Sequence, residues 1–292
     1  MIRTVSEMES TMPWNKKVLD NLDQLYWSPG KLGLVTVPRE LSTDGSGFVV
    51  PKARIEGGKS IYVRGLRHAE WRNHINKDEE LLNQVLEIAL AIAPSSFIDE
   101  AFFAPLGVRP SGRIRTIGRE AGLRHAELAP QQFTQHDGFY ISDNAVVMME
   151  MKLKANTSIE QYLKYCTLIA LEELLSGRRN ENGLIYLVPT GSISRTRRTL
   201  LLDEPEGLAR VWDDPTSFTK RRTLLRLLAN HGSHIKDVAH RLKIEVTTWD
   251  NLLGLIVRTR NGAIDAGDEA LENLMSGMFD QICATADCGL TA

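Results

Sequence analysis

Residues 133–153 read FTQHDGFYISDNAVVMMEMKL. Two apolar runs, Phe133–Ile141 and Ala145–Leu153, flank the turn residues Ser142-Asp143-Asn144, so the stretch predicts a β-hairpin. A symmetric reversal at Asp143-Asn144 pairs Ser142 with Ala145. Counting back, Asp137 falls directly opposite Glu150, the two side chains on one face and about 5 Å apart. Because side chains alternate along a strand, Lys152 shares that face while Met149, Met151 and Leu153 point the other way. Both flanks of Glu150 are apolar, which predicts a buried strand, and charges in a buried strand need a reason.

Two carboxylates this close repel unless a cation lies between them or one stays protonated. Their hard oxygens suit Mg²⁺ or Mn²⁺. Such an ion can acidify water and neutralise phosphate charge, and a neighbouring lysine can orient that water or stabilise the charge that develops. The combination predicts phosphodiester hydrolysis. An ordinary Glu-x-Lys on a strand is only a surface ion pair; the apolar setting sets this one apart.

Outward from the hairpin the pattern is mixed α/β. Upstream, Leu81, Leu82, Val85, Leu86, Ala89 and Ile92 recur at helical spacing from Asp78 until Pro94. Phe97–Val108 reads as extended, and Arg109–Pro130 as a polar insert. Downstream, Thr157-x-x-Glu160 has the form of a capping box opening a helix to about Ser176, and Gly183–Pro189 is an apolar run expected to be a buried strand. The order is helix, three strands, helix, strand. Residues 78–191 form this core; residues 1–77, with short strands at Leu32–Val37 and Gly47–Val50, form a lead-in subdomain, and residues 192–292 are mainly helical.

Asp137-Gly138 followed by Glu150-Met151-Lys152 resembles the D…(D/E)-x-K signature of the PD-(D/E)XK nuclease superfamily, with His136 where a proline usually stands. Gln161 and Tyr165 resemble the Q-x-x-x-Y motif of its RecB-type members, and their i, i+4 spacing presents both to one side of a helix. The resemblance implies a restriction-endonuclease-like core and a Mg²⁺-dependent nuclease. Asp137 and Glu150 would hold the metal together with an acid on the first helix. Lys152 would position or activate water, and Gln161 with Tyr165 would orient the substrate or the lysine. On a helical wheel Glu79 lies toward the apolar stripe and is preferred to Glu80; Asp99 and Glu100 are substitutes. DNA is favoured over RNA because that is what the family mostly cuts, and a role in repair, mobile-element biology or defence follows by analogy only. The competing expectation is a non-catalytic nucleic-acid-binding or assembly protein that keeps the fold.

Composition narrows the classes. The 292 residues are 42% hydrophobic and 25% charged, ordinary globular proportions. Apolar stretches fall short of the ~20 residues of a membrane span. With no basic-then-apolar leader, and with cysteines only at 166, 283 and 288, a cytoplasmic protein is expected. Those cysteines are too few for the four ligands of an iron–sulfur cluster. No Walker A sequence is present, so a helicase would be a separate partner. A net charge of −2 makes any phosphate-binding surface local. Arg109, Arg113, Arg115, Arg119 and Arg124 are the candidate nucleic-acid surface. Arg195, Arg197 and Arg198 follow the last core strand, and Lys220, Arg221, Arg222 and Arg226 read as a solvated face. The spacing of Ala239, Leu242, Ile244, Thr248, Trp249 and Leu253 resembles a helix-turn-helix. Its would-be recognition helix, however, carries no arginine before Arg258, which favours a plain helical bundle. His231, His234 and His240 have no accompanying cysteine and read as structural.

Overall fold

The computed structural model describes residues 53–54, 60–61, 79–117, 125, 128–129, 136–153, 157–204 and 206–285. A short antiparallel pair, β1 (Ala53–Arg54) and β2 (Ser60–Ile61), sets Ala53 opposite Ile61. The strands expected at Leu32–Val37 and Gly47–Val50 lie outside the described residues. Helix α1 (Glu79–Ile92) buries Leu82, Val85, Leu86 and Ala89, as the periodicity requires, and leaves Ile92 exposed.

Phe97–Val108 is helical rather than extended. Helix α2 (Ser95–Ile98) runs into a π turn at Asp99–Phe103 and a 3-10 turn at Ala104–Leu106, which Gly107 ends at φ 62°. A short apolar run carries no period that separates a buried strand from a buried helix. Here Phe97, Phe102, Phe103 and Leu106 go into the core, and Phe102 stacks on Tyr140 with ring centroids 4.8 Å apart. The first strand of the main sheet falls instead inside the arginine-rich insert, as β3 (Arg115–Thr116).

Strands β4 (Gly138–Ile141) and β5 (Ala145–Met151) pair with Gly138 opposite Met149 and Ile141 opposite Val146, the register that symmetric reversal demands. Helix α3 (Ile159–Ser176) is capped by Ser158 rather than Thr157: the Ser158 hydroxyl accepts from Gln161 N at 3.2 Å, satisfying one of the orphan amides of the first turn. Strand β6 (Glu181–Val188) then lies parallel to β5. Helices α4 (Ile193–Thr199), α5 (Gly207–Val211) and α6 (Arg222–Arg241) follow.

The C-terminal stretch is not a plain bundle, nor does it form a helix-turn-helix. Lys243–Thr248 is β7, parallel to β6, before α7 (Trp249–Ala266) and α8 (Glu269–Thr285). Its β-branched residues Ile244, Val246, Thr247 and Thr248 suit a pleated, half-buried surface.

The result is an α/β protein with a five-stranded mixed sheet in the order β3-β4-β5-β6-β7. Helices α1, α2, α7 and α8 cover one face, where Val147, Met149, Met151 and Leu187 meet them. Helices α3 and α6 cover the other, over Phe139, Val146, Met148 and Tyr186. The sheet and both cores run across residue 192, since Leu82 and Met278 share one core and Tyr162 and Val238 the other. Among the described residues no helix is long and apolar enough to cross a membrane.

Candidate active site

Strands β5, β6 and β7 run the same way, so their C-terminal ends gather with the N-termini of α3 and α7 at one end of the sheet. In α/β sheets this is the end where ligands bind. Asp137, just before β4, and Glu150, next to last in β5, are both carried there by the hairpin register. Gly138 allows the close approach: a Cβ at that position would lie 3.1 Å from Met149 Cβ and 2.9 Å from the Tyr140 hydroxyl.

Each carboxylate is held from two sides. Asp137 Oδ2 accepts from Met151 N at 2.7 Å, and Oδ1 accepts from the Asn83 side-chain amide on α1. Glu150 is only 1% exposed. Its Oε1 accepts from Gln161 Nε2 and pairs with Lys152 Nζ, while its Oε2 accepts from the Tyr165 hydroxyl. Lys152 sits at the boundary with solvent, its side chain 11% exposed. Its backbone is fixed at both ends: N donates to Leu187 O at 2.9 Å, and O accepts from Trp249 Nε1 at 3.0 Å.

Burial, reinforced by the negative charges of Glu150 and Asp137, pushes the Tyr165 hydroxyl well above its ordinary pKa. Tyr165 is therefore a protonated donor at any ordinary pH. Tyr186, buried opposite Glu150 in β6, is pushed the same way by burial and then by Glu150.

Asp137, Glu150, Lys152, Gln161 and Tyr165 thus come together. Gln161 and Tyr165 have Glu150 as their partner, rather than the lysine. The side chains of Glu79 and Glu80 lie outside the described residues, although α1 starts at Glu79. Glu100 is turned to Arg258 at 3.1 Å. Two participants had escaped sequence reasoning. Asn83 left a faint signal, a polar residue inside the apolar stripe of α1, one helical turn after Glu79. Trp249 left none.

The first residues of the arginine insert are at the far end of the sheet from this site. Asn144 Nδ2 donates to Arg109 O at 3.0 Å, Ser111 N donates to Asn144 Oδ1 at 2.7 Å, and Asp143 N donates to Ser111 O at 2.9 Å. Exposed Arg109 and Arg113 are therefore stapled near the hairpin turn, and the length of β5 puts about 20 Å between that turn and Glu150. Arg115 lies on the edge strand opposite Ile141. Arg119 and Arg124 lie outside the described residues.

Among the described residues no group of three or more His, Cys, Asp or Glu is placed to hold a metal ion. Asp137 and Glu150 remain a pair whose hard oxygens fit Mg²⁺ or Mn²⁺, ions that take one or two protein carboxylates and complete their shell with water or substrate. No protein-family model matches the chain, and no curated protein or solved structure matches it.

Proposed function

We propose that the chain is a metal-dependent nuclease with a restriction-endonuclease-like core, hydrolysing phosphodiester bonds in DNA. The observation that carries this reading is the hairpin register, which sets Asp137 beside Glu150 and Lys152 while Gln161 and Tyr165 close on the Glu150 carboxylate. The order α1, α2, β3, β4, β5, α3, β6 supports the core, being helix, three strands, helix, strand with α2 added after the first helix.

Asp137 and Glu150 would hold Mg²⁺ or Mn²⁺, which supplies neutralisation of charge on the scissile phosphate. Lys152 would present its ammonium to the attacking water or to the developing charge, from a backbone that Leu187 and Trp249 immobilise. Tyr165 and Gln161 orient Glu150; Asn83 and Met151 N orient Asp137.

A second reading, a nucleic-acid-binding protein that keeps the fold without cutting, is favoured by one observation. Both oxygens of Glu150 are already engaged, in a residue 1% exposed. Labelled single- and double-stranded DNA and RNA, incubated with Mg²⁺, Mn²⁺ or EDTA, separate the two. The nuclease reading expects metal-dependent cutting of DNA that falls by about 10²–10⁴ in Lys152→Ala. Equal cutting by both proteins refutes it, and binding without cutting in either selects the second reading.

A further inference from the structure

With the Arg109–Arg113 segment about 20 Å from the site, a nucleic-acid chain threaded past Glu150 needs its positive charge elsewhere. Two segments far apart in sequence supply it at the correct end. The first follows β6. Leu187 pairs with Met151, and α4 begins a few residues later at Ile193. Ile193 and Leu200 anchor α4 in the core that also holds Tyr165 and Tyr186, on the face to which Glu150 points. Arg195 and Arg198 are exposed on α4, and Arg197 pairs with Asp203 at 2.8 Å.

The second segment precedes α6. Thr219 Oγ1 donates to Glu160 Oε2 at 3.1 Å and Arg221 Nε donates to Glu160 Oε1 at 2.8 Å, tying the start of α6 to the first turn of α3 beside Gln161. Lys220 and Arg222 flank that tie and are exposed. Three of the acids nearby are engaged: Glu160 by Arg221 and Lys164, Asp203 by Arg197, and Asp250 by the Thr190 hydroxyl.

We propose that Arg195, Arg198, Lys220 and Arg222 are the surface that carries DNA across the active site, and that Arg109 and Arg113 are not. The inference rests on the nuclease reading and names where its substrate lies. Contacts of this kind go to the backbone, so they hold DNA in position without reading its sequence.

The test is binding of a labelled DNA duplex in EDTA, by fluorescence anisotropy across a salt series. The proteins are wild type, the fourfold Arg195→Gln, Arg198→Gln, Lys220→Gln, Arg222→Gln variant, and the control Arg109→Gln, Arg113→Gln. Each phosphate contact contributes about 0.9 to the slope of log K against log salt, so the fourfold variant should lose about 3 to 4 from that slope. The control should keep the wild-type slope. A variant that keeps the charge, Arg195→Lys, Arg198→Lys, Arg222→Lys, should keep most of it, which separates lost charge from a damaged fold. An unchanged slope in the fourfold variant, or a loss confined to the control, overturns the inference. Cutting by wild type with Mg²⁺, run alongside, judges the nuclease reading separately.

Discussion

Two buried glutamates stand at opposite ends of α3's side of the sheet and are neutralised in different ways. Glu173, near the C-terminus of α3, is 3% exposed and meets a guanidinium. Arg241 Nη2 donates to its two oxygens at 3.2 and 2.9 Å, and the same arginine bonds Asn180 O at 3.0 Å and Asp237 Oδ2 at 3.0 Å. Asn180 N and Asn182 Nδ2 also donate to Glu173 Oε1, at 3.0 and 2.8 Å. The network ties α3, β6 and α6 together, with a cation that no ordinary pH discharges. Glu150 is as deeply buried, yet its cation is a lysine at the edge of solvent and its other side-chain donors are the neutral Gln161 and Tyr165. An ammonium on a flexible stem can turn toward a ligand and can exchange a proton; a guanidinium pinned on three sides does neither. Burial alone therefore does not tell the two carboxylates apart. What distinguishes Glu150 is the kind of counter-charge beside it and the access of that charge to water.

Alkali should act through the buried tyrosines and not through the Arg241 lock. Burial holds Tyr140, Tyr162, Tyr165 and Tyr186 protonated well above their ordinary pKa, with Glu150 and Asp137 adding to the effect at Tyr165. The folded state thus favours the neutral phenol. Its contribution is complete below about pH 10, where unfolded tyrosine titrates, and is lost as pH climbs further, at roughly 1.4 kcal/mol per tyrosine per pH unit. At Arg241, burial works against the charge, but Glu173 and Asp237 outweigh it and raise the pKa, so this lock stays charged throughout. In a Tyr26→Phe, Tyr62→Phe variant, circular dichroism should show cooperative unfolding above pH 10, with tyrosinate absorbance appearing in the same transition. Tyrosinate that forms in that variant before the helices melt would mean that burial does not hold these phenols protonated.

Arg241→Ala should come next in size. It strands Glu173 without its guanidinium and should cost about 3–5 kcal/mol in denaturant unfolding, with cleavage per folded molecule unchanged. An unaltered unfolding midpoint would mean that the far end is not a lock at all.

Tyr165→Phe should reverse that profile. It keeps the ring's volume and removes one donor from Glu150, a loss of about 1–3 kcal/mol. If the donor positions the catalytic carboxylate, kcat should fall by about ten- to a hundredfold with KM little changed. A stability loss with full activity would make Glu150 another structural glutamate.

The hairpin was legible because turn residues and strand alternation act over a few residues and leave one register that buries the apolar face. Gln161 and Tyr165 were legible for a similar reason, since one helical turn sets their common side. The reading of Phe97–Val108 failed where a short apolar run lacks a period, and Lys243–Thr248 was missed because its strand exists only through pairing with β6. Chain order alone does not place the arginine insert, whose first residue, Arg109, is fastened by the Asn144 amide to the opposite end of the sheet.

From the sequence alone came the carboxylate pair, its lysine and the helical residues that follow, because local backbone geometry dictates each of those relations. Tertiary structure alone decided that Asn83 supports Asp137, that Trp249 holds the backbone of Lys152, and which basic segments border the site. Those relations join residues far apart in the chain, and only the packing of helices on both faces of the sheet brings such residues within hydrogen-bonding distance.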